Sequence, residues 1–103
     1  MFRRSRFAQL VDAQLDLFLR EHRVVVDEVA QRLEAYNRAD RSEAEELYGD
    51  YVDAVETGTE VLADIRDHFK WTLDEDAAEE YEAEFNRAVV KRLPEFGLEI
   101  ENN

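Results

Sequence analysis

Residues 6–38 read RFAQLVDAQLDLFLREHRVVVDEVAQRLEAYNR, and their apolar positions decide the fold. Phe7, Val11, Leu15, Phe18, His22, Val25, Val29, Leu33 and Tyr36 recur every three or four residues. That is the spacing of one helix face, not the alternation of a strand. At ~1.5 Å per residue it predicts a single first helix of roughly 45–50 Å. Ser5 stands ahead of it as an N-cap candidate, its hydroxyl able to accept from an orphaned backbone N–H. The one local weakness is the run Val24, Val25, Val26, because β-branched side chains lose rotamer freedom in a helix. The spacing still carries the helix across that run.

Outward from this stretch, Asn37, Arg38, Ala39, Asp40 and Arg41 turn the chain. Ser42 and Glu45 form a capping-box pattern that opens a second helix over residues 43–70. Its stripe is Ala44, Leu47, Tyr48, Tyr51, Val55, Gly58, Thr59, Leu62, Ile65 and Phe69. Thr72 or Asp74 caps a third helix over residues 74–93, with Glu75 and Asp76 at its positive end. Lys91 and Arg92 close that helix, Pro94 cannot continue it, and Gly97 lies just beyond. Residues 94–103 form a tail in which Phe96 and Leu98 fold back and the last three residues fray. Short connections force antiparallel neighbours. The fold class expected is therefore all-α, a single domain over residues 1–103 built as an up-down-up three-helix bundle.

The 103 residues carry 26 acids against 13 bases, of which only Lys70 and Lys91 are lysines, for a net charge of −13. There is no cysteine, which excludes a disulfide framework and any thiolate metal site. No apolar run approaches the ~20 residues of a membrane span, and nothing resembles a signal peptide, so a cytoplasmic setting is expected. A general basic face for nucleic acid does not fit this charge. The charge is also uneven. Residues 1–41 sum to +1, residues 42–71 to −7 and residues 72–103 to −7. Host adaptation accounts for such acidity, and so does a face for a basic protein partner.

The first helix carries more apolar surface than two neighbours need. Advancing about 100° per residue, Leu10, Leu17 and Val24 form a second line beside the main stripe, and Leu19 and Val26 lie on the other flank. A long, charge-balanced helix with an excess apolar face predicts a homodimer through these five residues. His22 lies inside the apolar stripe. Counting along the bundle places it near Gly58, Thr59 and Asn86, where a small polar pocket is the best ligand-site candidate. The plainer expectation there is a core histidine bonded to Thr59 or Asn86.

Asp64 and His68 share a helix face at a spacing that permits a metal, but no Glu-x-x-His accompanies them. They are weak metal candidates, and no cofactor is expected. Arg3, Arg4 and Arg6 make the one basic patch, expected to pair with acids of the later helices. Arg66 and Arg92 fall on apolar arcs and are expected to snorkel or pair with acids. The tyrosines and Trp71 suit packing better than an aromatic cage. No nucleophile set, phosphate loop or dinucleotide fingerprint is present, so no catalytic residue is assigned. The reading that follows is a non-enzymatic interaction or regulatory module acting as a homodimer. The alternative is a ligand- or metal-binding bundle using His22 or Asp64 and His68.

Overall fold

A computed structural model describes residues 5–103, so Arg3 and Arg4 lie outside the described residues. Those residues are helical almost throughout, with no strand. The helices are α1 (Ala8–Glu21), α2 (Arg23–Arg38), α3 (Ala44–Lys70), α4 (Glu75–Arg92) and α5 (Gly97–Ile100), with a 3-10 turn at Pro94–Phe96 before α5. Among the described residues no helix is long and apolar enough to cross a membrane.

The expected single first helix is two. His22 has φ −119° and ψ 33°, outside the α region, and separates α1 from α2. The hydrogen-bond ladder nearly survives: His22 N donates to Phe18 O at 2.8 Å and Val26 N to His22 O at 3.2 Å. The break sits just ahead of the β-branched run, where rotamer restriction weakens the helix most. It also lets the His22 ring stack on Phe18, centroids 5.5 Å apart at 28°.

The cap of α3 also differs from expectation. Asp40, not Ser42, collects the orphaned donors: its Oδ1 accepts from Ser42 Oγ at 2.7 Å, Ser42 N at 3.0 Å and Glu43 N at 3.1 Å. Chiefly the Ser42 hydroxyl bond, helped by these amides, holds the Asp40 carboxyl below its ordinary range. Ser5 accepts from Phe7 N at 3.1 Å, a turn ahead of α1 rather than a cap on it. Asp74 caps α4 as expected, accepting from Ala77 N at 2.9 Å.

The body of the molecule is α1, α4 and the second half of α3. Its core is aromatic at one end: Tyr81 lies 4.8 Å from Phe69, 5.6 Å from Phe7 and 6.0 Å from Phe85, ring to ring. At the other end Phe96 meets Phe18 at 6.1 Å and closes over Gly58. The tail therefore folds back, and Phe96 and Ile100 are fully buried while Leu98 stays exposed.

Beyond the body, α2 packs on the first half of α3 and on little else. Only Val29 of its 16 residues is fully buried. This pair forms an arm that draws the molecule out to 50 × 29 × 23 Å. Arg32 seals one side of the arm, bonding Glu28 through Nε at 2.9 Å and Asp50 O through Nη1 at 3.1 Å.

Candidate functional site

The body offers one open groove between α1 and α3, about 700 Å³ in volume, lined by Gln14, His22, Val61, Asp64, Ile65, His68, Phe69 and Thr72. Its origin is visible in the packing. The backbones of α1 and α3 stay apart and both lean on α4, so aromatic side chains such as Phe7 and Phe69 bridge them. Val61, Ile65 and Phe69 give the groove its apolar surface, and Gln14, His22, Asp64, His68 and Thr72 its polar groups.

Gln14 accepts from the Tyr81 hydroxyl at 2.8 Å. Burial pushes the Tyr81 hydroxyl up to about 12, only partly offset by that bond. Tyr81 is thus held as a neutral donor to Gln14. His68 Nδ1 lies 3.0 Å from the Asp64 main-chain oxygen. In the neutral ring this places the proton on Nδ1 and leaves Nε2 as the free lone pair.

Both histidines of the chain therefore line one groove, with Asp64 beside His68. Yet among the described residues no group of three or more metal-ligating side chains is arranged to hold an ion.

The polar pocket expected at His22, Gly58, Thr59 and Asn86 is filled. A Cβ on Gly58 would lie 2.3 Å from Phe96 Cε1, so the glycine makes room for that ring and not for a ligand. Thr59 donates back to Val55 O at 2.8 Å. Asn86 accepts from Arg66 Nη1 at 3.0 Å. His22 bonds neither and faces the groove instead.

The apolar residues singled out on the first helix separate into two sets. Leu10, Leu19 and Val26 are partly buried against the core. Leu17 is 44% exposed and Val24 78%. Leu17 lies on α1 and Val24 on α2, so this exposed apolar ridge is split by the bend at His22, itself a groove residue. Arg20 and Arg23 flank this ridge and pair with no acid among the described residues. Trp71, 76% exposed, stands next to Thr72 at the other end of the groove.

Arg6 behaves as expected of a basic patch, 3.4 Å from Glu80 and with its guanidinium 4.9 Å from the Phe7 ring centre. Arg92 joins α4 to α1 by donating to Asp12 O at 3.1 Å and Asp16 Oδ1 at 2.6 Å.

Arg66 pairs with an acid, the second of the two outcomes expected for it, but it does so from inside the fold, with its side chain buried. Nε donates to Asp67 at 2.9 Å, Nη1 to Asn86 and to Ile100 O at 3.0 Å each, and Nη2 to Asn103 O at 2.6 Å. The guanidinium thereby pins the folded-back tail onto α3 and α4. Position on an apolar arc was the only signal for it in the sequence.

In comparisons with protein-family models, curated proteins and solved structures, nothing matches this chain. A functional reading must come from its own residues.

Proposed function

We propose that this chain is a non-enzymatic protein-interaction module that acts as a homodimer in the cytoplasm, pairing through the ridge of Leu17 and Val24. One observation carries the reading. Two exposed apolar side chains, Leu17 and Val24, stand on either side of His22 in sequence, and His22 lines an open groove. A two-fold interface must be self-complementary, and a ridge next to a groove meets that requirement, each ridge entering the other copy's groove. Leu10 supports the ridge from within. Leu19 and Val26, on the opposite flank, are partly buried against their own core and offer the contact less exposed area. The unpaired Arg20 and Arg23 lie where acids of the second copy can meet them.

Sedimentation at micromolar concentration is the test. The expected species has twice the 12.1 kDa chain mass. Leu17→Asp with Val24→Asp should give a monomer of unchanged far-UV circular dichroism. A clean single-chain species from the wild-type protein would overturn the reading.

A second reading draws on the histidines sharing the groove with Asp64. In it the groove takes a small ligand or a transition metal, with a second copy supplying the missing ligands. Metal analysis of the purified protein and of His22→Ala and His68→Ala variants separates it from the first.

A further inference from the structure

We propose that the open side of the α2–α3 arm is a docking face for a basic amphipathic helix of a partner protein. The proposal rests on the chain being an interaction module, and it is independent of the homodimer. Tyr48, Val52, Val55, Thr59, Leu62 and Arg66 follow one another at helical spacing along a single line of α3. From Val55 onward the line is covered, and Val55, Thr59, Leu62 and Arg66 are buried. Before Val55 the cover thins. α4 has 18 residues, about 27 Å, against 27 residues and about 40 Å for α3. Tyr48 is accordingly 50% exposed, though it lies on the same line.

The facing wall comes from α2. Arg32 reaches Asp50 on one flank of the arm. Leu33, about 100° further round α2, falls on the opposite flank, 37% exposed. Tyr36 spans the floor, its ring 5.2 Å from that of Tyr48.

Two further observations select the occupant. Residues 43–57 carry six acids and no base. Glu45 and Glu56 border the trough between Leu33 and Tyr48 with no ion-pair partner among the described residues. A second copy would bring the same acidic border, whereas a helix flanked by Lys or Arg complements it. Gly49 stands beside the trough with nothing within 4 Å of where a Cβ would be. A mid-helix glycine costs roughly 1 kcal/mol relative to alanine. Phe96 accounts for Gly58, but nothing inside the fold accounts for Gly49. Close approach of an incoming helix does.

The probe is a leucine–lysine amphipathic helical peptide of roughly 18 residues, five turns long, followed by fluorescence anisotropy. A leucine–glutamate peptide of the same pattern is the control. The full chain should bind the lysine peptide only. A Leu33→Ser/Tyr48→Ser variant, its helicity checked by circular dichroism, should bind at least roughly tenfold more weakly, as expected on losing central anchors. Leu17→Asp with Val24→Asp should bind as well as wild type. Amide exchange should show new protection at residues 44–55 and not at 61–72. Equal binding by the serine variant, protection elsewhere, or no binding would overturn the proposal. So would loss of the homodimer in the serine variant, which would make a second copy the occupant.

Discussion

Two glycines of α3 sit in opposite circumstances. At Gly58 the missing Cβ is occupied by a ring that is fully buried and has nowhere to swing. Gly58→Ala should therefore destabilise the protein, because overpacking costs roughly 1–3 kcal/mol against a propensity gain of about 1 kcal/mol. Gly49→Ala meets open space and should keep that gain, raising Tm by roughly 4–8 °C for a domain of this size. Thermal melts of the two variants should bracket the wild type. A Gly58→Ala protein melting above it would mean that Phe96 does not rest on that helix face.

At the scale of elements, the short α5 has only four residues and no cap of its own, so it is helical because it is held. Arg66 holds it, through Ile100 O and Asn103 O. Arg66→Ala removes the guanidinium that donates to Asp67, Asn86, Ile100 O and Asn103 O, and leaving such acceptors unpaired typically costs roughly 1–3 kcal/mol. Arg66→Lys should recover part of this, since a single ammonium cannot span acceptors that a planar guanidinium reaches together. In native-state amide exchange, residues 96–103 should lose protection first, because they lose their anchor while α3 and α4 keep theirs. A loss spread evenly over all helices would contradict the anchoring role. This network also marks where sequence reading stops. The start of α4 was legible because Asp74 and the acids after it act locally, and its end because Pro94 does. Arg66 to Ile100 spans 34 positions and leaves no periodic trace. The bend at His22 lay between: the β-branched run signalled strain, and the stacking of His22 on Phe18 is a local contact four residues apart, but neither dictates that the helix breaks there. At Gly58 the sequence offers no sign of what fills the space, because the ring that does so arrives from the tail.

For the whole molecule, charge separates the two proposed contacts. Each copy carries −13, so association of two copies works against long-range repulsion even where the ridge itself is balanced. Salt removes that repulsion: the screening length falls from about 30 Å at 0.01 M to about 3 Å at 1 M. The homodimer should therefore tighten as salt is added, by at least roughly tenfold in Kd across that range. Binding of a lysine-flanked helix to the arm should move the other way, because there the same charge attracts. Sedimentation and anisotropy run over one salt series would show the two signs together. A homodimer that weakens with salt would place its contact on an ion-paired surface instead of the apolar ridge. A lysine peptide whose binding ignores salt would remove the acidic border of the arm from its recognition.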